Sequence, residues 1–271
     1  MPELPEVETI ARGLARQITG DVIESVWLGD KPEPLKSPAA EIASVLEGKR
    51  ISSIGRAGKH IVFEIIPEKG GSAKAAWIVH LGMTGRLQIC PPQAEAAKHT
   101  HAVLKLRSGR ELRFVDPRRF GRLSVVKGEF QATGAEPLEI DLERFATLFH
   151  GRKTPIKSAL LNQKLLRGVG NIYADEALYR SGIRPQRRAA AVTRAQLAKL
   201  HRALQEVLRE AIALGGSSVS DYVDADGEKG FFQLKHRVYG RQGKPCLRCK
   251  TPIRRIVIAG RSSHYCPKCQ R

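Results

Sequence analysis

The chain begins with an amphipathic helical pattern. Val7, Ile10, Leu14 and Ile18 recur at spacings of three and four residues, so they lie on one face of a helix that ends near Gly20. Pro5 suits the first turn of this helix, because the amide hydrogen that proline lacks has no intrahelical partner there. The pattern predicts a helix whose apolar face packs against the rest of a domain.

Short β-type runs separated by turn residues follow as far as residue 126. They cover residues 22–28, 50–54, 60–66, 76–81, 86–89, 102–106, 111–115 and 122–126. Some runs alternate apolar and polar residues and others are continuously apolar, which favours a two-layer β-sandwich over an open sheet. A helix at 38–46, with Ser37 as its N-cap, is predicted between the first two runs.

The pattern changes to helical spacing in the second half of the chain. Residues 128–139 are irregular and predict a linker, and helices are expected at 141–149, 155–162, 171–181 and 193–214. Thr193 and Gln196 have the spacing of a capping box at the last of these helices. Residues 215–230 form a polar stretch too long for a simple connection, which is typical of a functional lid.

Charge narrows the class of partner. The 271 residues include 46 Lys and Arg against 27 Asp and Glu, a formal net charge of +19. Such an excess predicts a polyanionic partner, and DNA, RNA or an anionic membrane would fit. No apolar run approaches the ~20 residues of a membrane span and no secretory signal pattern is present, so a cytoplasmic protein is expected.

Four of the five cysteines have the spacing of a metal site. Cys246 and Cys249 are separated by sixteen residues from Cys266 and Cys269, which predicts one tetrahedral zinc ion on a β-hairpin. Four thiolates leave no open position for water, so this zinc is expected to be structural. Twelve Lys and Arg and no acidic residue follow Glu228, so the hairpin is expected to bind nucleic acid.

The N-terminus offers a nucleophile. If Met1 is removed, Pro2 becomes a free secondary amine, and the adjacent Glu3 can move protons for it. The alternative is that Pro2 and Pro5 only stiffen an N-terminal arm, and the first six residues alone favour that alternative.

Several glycine-containing turns carry side chains suited to nucleic acid. Residues 57–60 place Lys59 on a turn, 80–85 expose Met83 between glycines, and 116–121 pair arginines with Phe120. Each alone is explained as a decorated hairpin, whereas together they could hold phosphates and fill a gap in stacked bases. The turn 166–171 leads into a helix N-terminus, which could accept a phosphate.

In this order, the motifs resemble those of the bacterial formamidopyrimidine-DNA glycosylases, nearly from end to end. They are Pro2-Glu3-Leu4-Pro5-Glu6, Gly58-Lys59, Leu81-Gly82-Met83, Asp116-Pro117-Arg118-Arg119-Phe120-Gly121, Gly168-Val169-Gly170-Asn171-Ile172-Tyr173-Ala174 and the zinc hairpin with Arg261. The resemblance implies an α+β multi-domain protein. Its expected parts are an N-terminal β-sandwich with flanking helices (1–130), a helix-two-turn-helix domain with a lesion-capping loop (131–230) and a four-cysteine zinc finger hairpin (231–271).

The resemblance also implies roles for individual residues. Pro2 would attack C1′ of the damaged nucleotide to form a Schiff base, Glu3 would move protons on the sugar, and Lys59 would hold the phosphate beside the lesion. Met83, Arg118 and Phe120 would fill the void left by the flipped nucleotide, with Arg118 facing the orphaned cytosine. Lys157, Asn171 and Arg261 are expected to contact DNA, Glu6 and Glu176 to shape the pocket, and Ser217 and Tyr222 to belong to the capping loop.

The activity implied is a bifunctional DNA glycosylase and AP lyase of base excision repair. It would remove 8-oxoguanine and formamidopyrimidines from double-stranded DNA, cut both flanking phosphates by β,δ-elimination, and act as a monomer near the bacterial nucleoid. Two alternatives stay open. One is an endonuclease VIII-like glycosylase for oxidised pyrimidines, against which Leu4 and the Arg118-x-Phe120 pair argue; the other is a non-enzymatic zinc-ribbon DNA-binding protein.

Overall fold

The chain divides into two compact units. The computed structural model describes residues 1–69, 73–218 and 229–271. Contacts group Met1–Gln131 with Gly215–Gly230 in the first unit, and Ala132–Leu214 with Phe231–Arg271 in the second. The stretch 215–230 thus belongs with the N-terminal unit by its contacts, and the three-part division at 130/131 and 230/231 stays a prediction.

The described part of the first unit contains two helices and eight strands. They are α1 (Leu4–Ile18), β1 (Val22–Leu28), α2 (Ala39–Leu46), β2 (Lys49–Ala57), β3 (His60–Pro67), β4 (Ala75–His80), β5 (Arg86–Cys90), β6 (Thr100–Leu106), β7 (Glu111–Val115) and β8 (Arg122–Lys127). The strands pair in the order β5-β7-β6-β1-β2-β3-β4-β8, and all neighbouring strands are antiparallel.

This sheet folds into the two layers that the sequence predicts. β1 and β2 share only two residue pairs, so the order divides into two four-stranded halves at that point. Side chains from both halves, such as Phe63 and Trp77 on one and Leu104 and Phe114 on the other, lie in one buried hydrophobic cluster. The predicted apolar face of α1 completes the same cluster. The β-rich N-terminal part of the predicted fold is therefore confirmed.

The predicted N-cap of α2 is wrong. The helix begins at Ala39, with Pro38 in the cap position and no side-chain cap. The Ser37 hydroxyl instead accepts the amide hydrogen of Val125 in β8, at 3.1 Å. The Ser37 side chain is therefore oriented toward β8 and away from the first turn of α2, so it cannot also cap the helix.

The second unit is helical, with a short hairpin. It contains α3 (Leu142–Thr147), α4 (Ile156–Leu160), α5 (Asn171–Ser181), α6 (Arg194–Ala213), β9 (Arg254–Ile258) and β10 (Arg261–Tyr265). Thr193 and Gln196 form the predicted capping box of α6. The buried face of α6, which includes Leu200, Leu204 and Val207, follows the predicted helical spacing. Among the described residues, no helix is long and apolar enough to cross a membrane.

Candidate functional site

The N-terminal segment is fixed by Glu6. Pro2 and Glu3 are buried directly before α1, and the Glu3 amide donates to Oε2 of Glu6 at 2.8 Å. The other oxygen of Glu6 accepts the amide hydrogen of Ser217, also at 2.8 Å. One carboxylate therefore ties residue 3 to the beginning of the stretch 215–230.

Gly216 lets that approach happen. Its φ is +83°, and a Cβ there would lie 2.9 Å from Oε1 of Glu6. A larger residue would strain the backbone and push the Glu6 carboxylate away from the Ser217 amide. Ser217 itself is buried. Tyr222, the other residue expected in the capping loop, lies outside the described residues.

The Pro2 nitrogen is the group on which the chemistry depends. In the structure Met1 precedes Pro2, so this nitrogen belongs to a peptide bond and has no nucleophilic lone pair. Glu3 beside it is buried, with 5% of its surface exposed. The segment therefore has a proton-transfer group next to a nitrogen that only removal of Met1 would turn into an amine.

Lys59 lies on the tight turn between β2 and β3. Gly58 takes φ +64° there, and Lys59 is only 8% exposed. His80, at the end of β4, accepts the amide hydrogen of Gly82 through Nδ1 at 3.1 Å. Burial, followed by the positive charges of His60, Arg122 and Lys59, lowers the pKa of His80 to about 4. The imidazole is therefore neutral at neutral pH and is able to accept this hydrogen bond.

The three predicted void-filling side chains project from the surface of this unit. Met83 is 44% exposed and Phe120 is 53% exposed, although both are large and apolar. The guanidinium carbon of Arg118 lies 4.7 Å from the centre of the Phe120 ring. This cation–π contact fixes Arg118 beside Phe120 before any ligand is present.

Lys157, predicted to contact DNA, is completely buried in the second unit. Its ammonium group lies 2.6 Å from Oδ1 of Asp175 and donates to the carbonyl of Ser262 at 2.8 Å. Asp175 in turn accepts the amide hydrogen of His264 at 2.8 Å. Lys157 therefore fixes the strand that begins at Arg261, and a direct contact with DNA, which would require it to leave this ion pair, stays a prediction.

Asn171 and Arg261 are better placed to meet a ligand. Asn171 is the first residue of α5, preceded by Gly170 as the N-cap without a side-chain cap. Amide groups at a helix N-terminus suit a phosphate. Arg261 is exposed and begins β10, directly after a turn in which Ala259 and Gly260 have positive φ. Both residues stay predicted DNA contacts.

Glu176 binds a backbone segment of the second unit, residues 237–239. It is fully buried and accepts amide hydrogens from Arg237, Val238 and Tyr239 at 2.9–3.0 Å. Burial raises the pKa of Glu176, and these three hydrogen bonds act against that rise. Its predicted part in shaping a pocket would act through this backbone segment.

The four predicted zinc ligands come together. The sulfur atoms of Cys246, Cys249, Cys266 and Cys269 all lie within 4.8 Å of one another. Two of the separations are 3.4 Å, between Cys249 and Cys266, and 3.9 Å, between Cys246 and Cys269. Zinc–sulfur bonds of ~2.3 Å in a tetrahedron place sulfur atoms about 3.8 Å apart, so the four thiolates fit one structural zinc ion.

Sequence reasoning missed the buried carboxylates that support these residues. Asp116 resembles an ordinary turn residue before Pro117, and Asp175 a polar position within a helix. Both are at most 1% exposed. The available signal is that three apolar or aromatic residues flank Asp175 and Glu176 on each side within a predicted helix, which favours burial of at least one of the two acids.

Comparison with known families gives three matches along the chain. Residues 1–123 match the formamidopyrimidine-DNA glycosylase N-terminal domain, and residues 133–223 match the H2TH domain of the same proteins. Residues 243–271 match the zinc finger found in FPG and IleRS. Together the matches cover most of the chain.

Individual relatives agree over their whole length. The formamidopyrimidine-DNA glycosylases of Solibacter usitatus and Gluconobacter oxydans are 49% and 44% identical, with 100% of each chain covered. The Lactococcus lactis Fpg in complex with DNA containing an abasic site is similar in structure, with 34% identity, a TM-score of 0.90 and 99% of both chains covered. The MutM (FPG) protein from Thermus thermophilus is 42% identical with a TM-score of 0.86, covering 99% of this chain and 98% of that one.

Proposed function

The chain belongs to the formamidopyrimidine-DNA glycosylase family, and from that premise we propose that it excises oxidised purines from duplex DNA through the nitrogen of Pro2. It is a DNA glycosylase of base excision repair, with the AP lyase activity of its family. The observation that supports the Pro2 assignment is the segment in which Pro2 and Glu3 are buried together and held by Glu6.

The reaction begins at the free amine of Pro2 after loss of Met1. The nitrogen forms a bond to C1′ as the glycosidic bond breaks, and the proton that the amine loses is transferred to the departing base. Glu3 moves the protons that open the sugar, which leaves a Schiff base between Pro2 and C1′. The positively charged imine then acidifies the C2′ proton, so that the 3′ phosphate leaves first and the 5′ phosphate follows, giving a one-nucleotide gap. Water then hydrolyses the imine, which releases the unsaturated sugar fragment as an aldehyde and regenerates the Pro2 amine.

Other side chains of the first unit hold the DNA. Lys59 binds the phosphate beside the lesion. Met83 and Phe120 fill the space vacated by the damaged nucleotide, and Arg118 presents its donors to the orphaned cytosine. Ser217 and Tyr222 belong to the segment that covers the flipped base. In the second unit, Asn171 and Arg261 bind backbone phosphates, and the zinc ion holds the hairpin that carries Arg261.

The partner and the cell compartment follow from the activity. Double-stranded DNA that contains a damaged base is the partner, which the net charge of +19 suits. In a bacterium this substrate lies in the nucleoid, so we place the protein in the cytoplasm.

Borohydride trapping on a duplex that contains 8-oxoguanine tests the nucleophile and the substrate together. The mature protein is expected to become linked to the DNA, with the adduct on its N-terminal peptide by mass spectrometry. Pro2→Gly should weaken trapping and an N-terminal extension should abolish it, whereas Pro32→Gly is the control at an exposed loop proline. Undiminished trapping with the extension would move the nucleophile to a lysine.

A further inference from the structure

Two loops of the first unit carry the side chains assigned to the DNA void. The methionine loop, residues 81–85, carries Met83. The arginine–phenylalanine loop, residues 116–121, carries Arg118 and Phe120. They are 31 residues or more apart in sequence, so their relative position depends on contacts between them.

One buried carboxylate connects the two loops. Oδ1 of Asp116 accepts the hydroxyl hydrogen of Thr84 at 2.5 Å and the amide hydrogen of Arg118 at 3.2 Å. Oδ2 accepts the amide hydrogen of Gly121 at 2.7 Å. Asp116 has no exposed surface, and its carbonyl lies 3.0 Å from Nε2 of His101 in β6. A hydroxyl of the first loop therefore binds the same carboxylate that shapes the second.

The backbones of the loops also touch directly. Gly82 has φ +64°, and a Cβ there would lie 2.5 Å from the carbonyl carbon of Phe120 and 2.6 Å from the nitrogen of Gly121. No side chain separates the backbones of the two loops at this point. A displacement of one loop therefore displaces the other.

Void-filling side chains gain from such coupling. Exposed side chains lose rotational freedom when they enter a base stack, and fixing the loops beforehand lowers that cost. Arg119 has φ +56°, a positive value unusual for a residue other than glycine. The hydrogen bonds of Asp116 to the amides on either side of Arg119 hold this conformation.

We propose that Asp116 and Thr84 are positioning residues that lock the methionine loop to the arginine–phenylalanine loop, so that Met83, Arg118 and Phe120 enter DNA as one unit. The inference rests on the proposed void-filling function of those three residues. It adds that recognition of the opposite base depends on a hydroxyl bonded to a buried carboxylate.

Thr84→Val tests this, because it removes the hydroxyl and keeps the branched shape. With 8-oxoguanine opposite cytosine, kcat/KM should fall about tenfold, since a hydrogen bond to a carboxylate is lost. The preference for cytosine over adenine should narrow, while affinity for undamaged duplex stays unchanged. Thr84→Ser should restore both values, and Thr147→Val, which deletes a hydroxyl bonded within α3, is the matched control.

Comparison with Arg118→Ala distinguishes a failure of the loop coupling from a failure of the void-filling assignment. If Arg118→Ala loses the preference and Thr84→Val keeps both preference and kcat/KM, the coupling is refuted and the proposed function stands. If Arg118→Ala keeps the preference, the void-filling assignment and the coupling fall together. A Thr84→Val protein that melts at a lower temperature but discriminates like wild type also refutes the coupling. Asp116→Asn is the companion variant, expected to act in the same direction.

Discussion

The amide nitrogen of Glu3 lies 2.8 Å from Oε2 of Glu6, so α1 holds the proposed proton-transfer residue through its own first turn. Because Oε1 of Glu6 binds the Ser217 amide, a change at Glu6 affects two segments at once. The loss of a hydrogen bond to a charged group costs about 1.5–3 kcal/mol, or roughly ten- to a hundredfold in rate.

Glu6→Ala is therefore expected to lower borohydride trapping and base excision by about ten- to a hundredfold. Glu6→Gln keeps one acceptor oxygen and should be affected less. Glu41→Gln, in the exposed first turn of α2, is the control. Single-turnover excision measures the effect, and wild-type rates for Glu6→Ala would show that the bond to Glu3 has no catalytic consequence.

Arg118 and Lys59 are expected to differ in what they recognise. Guanidinium donors suit the O2 and N3 acceptors of cytosine and meet a poorer set on adenine, so Arg118→Ala should reduce the preference for cytosine opposite 8-oxoguanine. Lys59→Ala should weaken binding to all duplexes alike, because a phosphate contact carries no base information. Excision from duplexes that differ only in the opposite base, at one salt concentration, makes the comparison. An intact preference in Arg118→Ala would make Arg118 another phosphate contact.

The zinc centre should be needed for DNA binding more than for the global fold. We expect about one zinc ion per chain, and Cys249→Ala should lose metal and DNA affinity together. The hydrophobic cluster at this centre is small and consists of Tyr179, Val238, Ile253 and the cysteines themselves. Cys90→Ala, outside the four-cysteine group, should keep the metal. Mass spectrometry measures the zinc content of each variant, and a DNA-binding assay measures its affinity. A protein without zinc that binds DNA normally would contradict the prediction.

Lys157→Met should destabilise the second unit. It leaves the buried Asp175 carboxylate without its cation, a change that typically costs about 3–5 kcal/mol of unfolding free energy. Lys157→Met combined with Asp175→Leu should recover part of that loss, and Lys153→Met, at an exposed lysine, is the control. Denaturant unfolding measures the free energy of unfolding of each variant. If stability is unchanged and the salt dependence of DNA binding falls by about one phosphate contact, Lys157 binds DNA directly.

Acid should weaken the fold through two partly buried histidines. Burial is the first cause that lowers the pKa of His80 to about 4, and likewise that of His236 to about 4. The unfolded chain therefore binds more protons than the folded chain between about pH 6.5 and pH 4, so stability falls as pH falls through this window. Each histidine lowers the free energy of unfolding by at most ~1.4 kcal/mol for each pH unit of acidification within this window. His80→Gln should flatten the pH dependence of unfolding, and an unchanged slope would contradict the assignment.

Local patterns predicted most of the elements, because periodicity reports which face of an element is buried. β1, β7 and α5 have the predicted bounds, whereas α3 and α4 are shorter than their apolar spacing suggested. Apolar residues beyond a helix end, such as Phe149 after α3, are buried without being helical. Burial alone does not distinguish a helical end from a packed turn.

Long-range polar partners were not predictable in the same way. Nothing local to Lys157 indicates that it pairs with Asp175 rather than with solvent, and nothing near Thr84 indicates Asp116. The Glu3–Glu6 contact, in contrast, lies within one helical turn and could have been predicted from the Glu-x-x-Glu spacing. The site could be predicted where its partners are neighbours in sequence and was missed where folding brings them together.

The narrow pairing between β1 and β2 has a consequence for how the protein is made. β1 obtains most of its strand partners from β6, about eighty residues later in the chain, and only two from β2. During synthesis β1 therefore lacks most of its strand partners until β6 has been made. Pro2 is buried once folding is complete. Met1 itself is 43% exposed, so its removal, which would create the reactive amine, does not require the finished fold to open.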